Sequence, residues 1–130
     1  MTPNREAFHD VVGIIETYFE GLHQADSTIL SDVFHAKAHY INATAGDDMN
    51  YDMPTYFDIV DRRTSPADLN EELEGKILSI AFGNDRMAFV VARSTMFRRD
   101  YLDFLTLTLV DGSWKIIAKV FTATPKNEAA

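Results

Sequence analysis

Asp100-Tyr-Leu-Asp-Phe-Leu-Thr-Leu-Thr-Leu-Val110-Asp-Gly-Ser-Trp-Lys-Ile-Ile-Ala-Lys-Val-Phe121 decides the fold of this chain. Asp111-Gly112 is the dipeptide of a tight hairpin, because both positions tolerate positive φ. The stretch therefore reads as two antiparallel strands. Leu105, Leu107 and Leu109 fall on one side, with Leu102, Phe104, Val110, Thr106 and Thr108 on the other. A strand with one wet face alternates apolar with polar. Here both faces are largely apolar, so each needs a cover: the chain's own helices over a pocket on one side, a second subunit on the other.

Composition narrows the class. With 130 residues the chain suits one domain, 1–130, with its core over about 5–122 and a frayed tail at 123–130. A hydrophobic content of 46% with 12% aromatics is that of a packed globule. Cysteine is absent, which excludes a disulfide framework, a thiolate metal site and a cysteine nucleophile, and fits a reducing compartment. Met1 to Ala7 lack the basic and apolar regions of a signal peptide, and no run approaches the roughly 18 apolar residues of a membrane span. A cytoplasmic location without a membrane partner is expected. The net charge of −8, with no basic tract, disfavours nucleic acid.

Along the chain, Phe8, Val11, Val12, Ile15, Tyr18, Phe19 and Leu22 recur at helical spacing, with Thr2 able to cap and Pro3 suited to the first turn. Asp26 can cap a second helix over Ser27 to Phe34, followed by a strand at about Ala38 to Thr44. Ala45 to Met53 reads as a mobile loop, and Pro54 opens a third helix through about Arg63 with Tyr56, Phe57 and Val60 inward. Strands are expected at about Glu74 to Phe82, Arg86 to Arg98, Tyr101 to Val110 and Trp114 to Thr122. Helices first and long strands after predict an α+β fold.

Tyr18-Phe-Glu-Gly-Leu-His-Gln-Ala-Asp26, Leu30, Phe34-His35, Asp100-Tyr-Leu and Gly112-Ser-Trp-Lys-Ile through Lys119-Val-Phe121 give the chain a resemblance to the nuclear transport factor 2-like superfamily. Within it the chain is most similar to the putative lumazine-binding branch, a sibling of the SnoaL-like proteins. The resemblance spans roughly residues 8 to 121. It implies a cone: a curved antiparallel sheet, cystatin-like, wrapped around N-terminal helices and enclosing a cavity. Function does not follow from such a fold. What it implies is a small-molecule binder, with a cofactor-independent SnoaL-like cyclase, isomerase or dehydratase and a non-catalytic dimeric interaction protein as alternatives.

Similarity to the hairpin of the superfamily's steroid isomerases implies which residues face the cavity. Leu102, Phe104, Thr106 and Thr108, then Ile117, Lys119 and Phe121, then Phe89, Val91, Arg93, Thr95 and Phe97 form the implied concave set; a slip of one residue would invert it. The convex set is then Ala88, Val90, Ala92, Met96, Leu105, Leu107, Leu109, Ile116, Ala118 and Val120. So apolar a face predicts a homodimer through it: burying about 600 Å² per subunit is worth on the order of 15 kcal/mol before association costs.

The expected ligand-binding residues are Tyr18, Phe34, Phe57, Phe89, Arg93, Phe97, Phe104, Thr106, Lys119 and Phe121. Arg93 and Lys119 inside an apolar cavity would invite an anionic or aromatic ligand, or else form internal salt bridges to an acid such as Asp103, Asp47 or Glu16. Tyr18 resembles the isomerases' hydroxyl donor or is a core tyrosine. Asn42 and Thr106 stand where that family has its acids, which argues against steroid-type isomerisation. Tyr18, His39 and Asp52 are the candidates for any proton chemistry. His35 and His39, four residues apart beyond a helix end, with Asp47, Asp48 and Asp52 near in sequence, lack metal-ligand spacing, so neither a metal nor another cofactor is expected.

Overall fold

The computed structural model describes residues 5–126. Helix α1 (Arg5–Gln24) buries Val11, Ile15, Tyr18, Phe19 and Leu22. Phe8, expected on that stripe, is exposed, and the expected caps Thr2 and Pro3 lie outside the described residues. The helix ends in paired reverse hydrogen bonds, Ala25 N–H to Leu22 O at 3.2 Å and Asp26 N–H to Gly21 O at 3.0 Å, with Ala25 left-handed at φ 49°. Asp26 at once caps α2 (Ser27–Ser31), its carboxylate accepting from Thr28 N–H at 2.8 Å. A Cβ at Gly21 would meet Leu30 Cδ2 at 2.6 Å, so the missing side chain lets α2 fold back against α1.

Helix α2 is shorter than expected. Val33 and Phe34 leave the helical pattern because the sheet claims them: Val33 O accepts from Ile116 N–H at 2.8 Å, and Phe34 opens strand β1 (Phe34–Asn42). The segment expected as a mobile loop contains the short strand β2 (Met49–Tyr51), paired with β1. Helix α3 (Met53–Arg62) is capped by Asp52, which accepts from Thr55 N–H at 3.0 Å. Strands β3 (Glu74–Gly83), β4 (Met87–Met96), β5 (Arg99–Val110) and β6 (Ser113–Pro125) form the meander. β6 runs past the expected start of the tail, to Pro125, because Arg99 to Tyr101 pair with Ala123 to Pro125. Residues 127–130 lie outside the described residues.

The six strands form one curved, unclosed sheet in the order β2-β1-β6-β5-β4-β3. All neighbours are antiparallel except β1 and β6, which run parallel. The fold is thus α+β, with the helices packed on the concave face. The β5–β6 hairpin turns at Asp111 (φ 50°) and Gly112 (φ 79°), the positive pair its dipeptide predicts.

The faces of the sheet are assigned differently from expectation. Ala88, Val90, Ala92 and Met96 of β4, Leu105 and Leu107 of β5, and Trp114 and Ile116 of β6 are buried against the helices. They are concave, not convex. Phe89, Arg93 and Phe104 are exposed on the opposite face, where Thr106 pairs with Phe89. The cause is a bulge in β6: Thr106 opposes Ala118 while Leu107 opposes Ile116, leaving Ile117 without a partner. A regular two-residue hairpin would set Lys119 opposite Phe104. The bulge sets it opposite Leu105, and Phe121 opposite Asp103. Lys119 and Phe121 remain concave, while Leu102, Phe104, Thr106 and Thr108 turn outward.

Candidate functional site

The alternation of β5 that turns Phe104 outward turns Asp103 inward, the bulge in β6 brings Lys119 to the same face, and a polar cluster forms at the base of the cone. Tyr18 Oη, on α1, donates to Asp103 Oδ2 at 2.6 Å, and both residues are buried. Asp103 Oδ1 has no hydrogen-bond partner among the described residues. Lys119 is only 3% exposed, and its Nζ stands over four rings, 4.8 Å from the Phe121 centroid, 5.1 Å from Tyr18, 5.3 Å from Tyr40 and 5.5 Å from Tyr56. Among the described residues it makes no hydrogen bond and no ion pair. Burial lowers the Lys119 pKa from its ordinary value, and the Asp103 charge opposes that shift. Burial, then Asp103, pushes the Tyr18 phenol well above its usual range.

Above this base opens a cavity of about 370 Å³. Tyr40, Tyr51 and Tyr56 line it from β1, β2 and α3, and Tyr101 and Phe121 from β5 and β6. Tyr40 stacks on Tyr56 with centroids 4.3 Å apart and on Tyr51 at 5.8 Å. Arg63, the residue that ends α3, lines the cavity; its Nε and Nη2 are buried and without hydrogen-bond partners among the described residues, and its guanidinium is 5.4 Å from the Phe97 ring. The Tyr56 hydroxyl is likewise buried and makes no well-formed hydrogen bond among the described residues, and burial raises its pKa against the opposing pull of the adjacent Arg63. Burial raises the Tyr40 and Tyr101 phenols too. Arg99 and Asp47 stand at the rim, 3.8 Å apart and both partly exposed. The lining thus holds Lys119, Arg63 and Arg99 against the single carboxylate of Asp47, within a chain of net charge −8.

Of the residues expected to bind ligand, Tyr18, Phe34, Phe57, Lys119 and Phe121 come together. Lys119 and Phe121 line the cavity, and Tyr18 lies directly behind them. Phe34 and Phe57 form the apolar packing beneath, each against Tyr56 at 5.8 Å. Phe97 is half-buried in the β4–β5 turn at φ 55°, beside Arg63 and off the cavity lining. Arg93, Phe89, Phe104 and Thr106 are corrected: they belong to the convex face, where Phe89 and Phe104 pack on each other at 5.5 Å. No internal salt bridge uses Arg93 or Lys119 among the described residues.

The candidates for proton chemistry do not assemble. His39 is exposed beside buried Ala38, and the Asp52 carboxylate is committed to capping α3, which holds its pKa down. The His35 Nδ1 accepts from Lys37 N–H at 3.0 Å. Asn42 does line the cavity, its Oδ1 accepting from Thr44 N–H at 2.9 Å. Sequence reasoning weighed Asp103 only as a salt-bridge partner and missed Arg63, Arg99 and Tyr101. The first sits mid-strand where polar alternation reads as solvent-facing, and the others at element ends where periodicity carries no signal.

A sequence-family profile described as putative lumazine-binding matches residues 6–122. Solved structures of similar fold include a nuclear transport factor 2-like protein of unknown function from Shewanella baltica. It is 21% identical, with a TM-score of 0.79 over 97% of this chain and 100% of that one. Another of the same description, from Silicibacter pomeroyi, is 21% identical with a TM-score of 0.77 over 95% and 100%. A cystatin-like fold protein from Burkholderia xenovorans is 12% identical, with a TM-score of 0.69 over 95% and 96%. No match was found among curated protein sequences.

Proposed function

The chain belongs to the putative lumazine-binding family, of nuclear transport factor 2-like fold, and on that premise we propose that its cavity binds a small, flat organic molecule bearing a negative charge. One observation carries the reading: three basic side chains, Lys119, Arg63 and Arg99, line one aromatic cavity against the carboxylate of Asp47. Buried donors without partners are stabilised when a ligand supplies acceptors. The Tyr40–Tyr56 stack offers a flat face, and Arg63 lines the cavity beside it as the counter-charge for a carboxylate. Catalysis through His39 or Asp52 is not proposed, since neither reaches the cavity. Calorimetric titration with benzoate, and with lumazine as a flat heteroaromatic, tests the reading. Binding that weakens about tenfold or more in Arg63→Gln is expected. Failure of every flat anion at millimolar concentration overturns it.

We also propose a cytoplasmic homodimer through the convex sheet face. Met87, Phe89, Leu102 and Phe104 are 57%, 39%, 38% and 44% exposed there, an apolar group that a partner sheet would cover. Among the described residues no helix is long and apolar enough to cross a membrane.

A further inference from the structure

We infer that Lys119 is a reactive amine that captures a carbonyl compound as an imine, the ligand being an aromatic aldehyde or ketone that also carries an anionic group. The inference rests on the cavity's being a binding site and goes beyond it by assigning a covalent step. A lysine buried this far is ordinarily tied to a carboxylate. Lys119 is not: Asp103, the acid whose charge bears on it, accepts from Tyr18 at Oδ2, and no ion pair joins it to Lys119. The amine stands among aromatic faces and lines the same cavity as Tyr40, Arg63 and Arg99. Desolvation in such a setting enlarges the free-amine fraction, the form that attacks carbonyls, and burial lowers the Lys119 pKa accordingly.

The step balances without any further reagent. The Nζ lone pair attacks the carbonyl carbon, and one nitrogen proton passes to the oxygen, giving a carbinolamine. The C–O bond then breaks, and the oxygen leaves as water with the second nitrogen proton as the C=N bond forms. Nothing is oxidised or reduced. Asp103 lies on the neighbouring inward pair of the same face, opposite Phe121 where Lys119 is opposite Leu105, and its charge bears on the amine without an ion pair between them. The four rings that surround the ammonium would also stabilise the protonated imine. Conjugation keeps imine and ring coplanar, a shape that suits the Tyr40–Tyr56 stack, with Arg63 and Arg99 to hold the anionic group.

The test treats the full chain with substoichiometric 4-carboxybenzaldehyde, reduces any imine with cyanoborohydride, and maps adducts by peptide mass spectrometry. Lys37, Lys76, Lys115 and Lys126 are internal controls. Adduct on Lys119 in at least about tenfold excess over each of them is expected, suppressed by excess benzoate. Adducts spread evenly, absent from Lys119, or indifferent to benzoate overturn the inference. Calorimetry with benzoate, which has no aldehyde, separates the two readings. Benzoate binding without trapping at Lys119 removes the imine and leaves the binding site, whereas no binding and no trapping remove both.

Discussion

Three residues, Tyr18, Asp103 and Lys119, set the character of the cavity floor, and each makes its own mark on stability. Tyr18→Phe removes the only hydrogen bond that the buried Asp103 carboxylate receives among the described residues. An orphaned buried acceptor costs about 1–3 kcal/mol, so the urea midpoint should fall by that equivalent; an unchanged midpoint would mean that water already satisfies Asp103. The pH dependence has two opposed parts. Lys119 is depressed below its ordinary 10.5, so between its folded value and 10.5 the unfolded chain binds more protons and stability rises with pH. Tyr18, Tyr40, Tyr56 and Tyr101 are raised above their ordinary 10.0. Their contribution is complete below pH 10.0 and is lost as pH climbs through their folded values. Thermal melts from pH 7 upward should therefore show stability rising toward alkaline pH, then collapsing above about 10. Lys119→Met should lose the rise and keep the collapse.

At the scale of elements, the faces of β5 and β6 can be read by thiol labelling, because the chain has no native cysteine. Phe104→Cys should react with a soluble disulfide reagent more than about tenfold faster than Leu105→Cys, whose side chain is reached only through opening. The opposite order would invert the faces assigned to β5. This is where legibility stopped. The hairpin, the α1 stripe and the Asp26 cap were plain in the sequence because turn chemistry and helical period are local signals. Parity was not, since β5 is apolar on both faces and a slip of one residue leaves the pattern equally hydrophobic. Ile117 looks like any strand residue; only its neighbour strand reveals it as the extra one. The short α2 was misjudged for a similar reason, as Phe34 answers to β6 and not to its own neighbours.

On the scale of the whole molecule, the sheet separates two tasks: helices and cavity on one side, an uncovered apolar face on the other. Phe104→Glu together with Phe89→Glu should convert a dimer to a monomer in native mass spectrometry with the circular dichroism unchanged. A wild type that is monomeric at micromolar concentration would end the sheet-to-sheet proposal. The bulge has a consequence beyond this chain. It acts as a frame shift in the alternation of β6: before Ile117 the even-numbered Trp114 and Ile116 face inward, and after it the odd-numbered Lys119, Phe121 and Ala123 do. Two relatives aligned column by column through this strand will exchange lining for surface wherever one of them lacks the extra residue. A pocket motif transferred across the family therefore has to be counted from the hairpin stem, with position 117 treated as a gap.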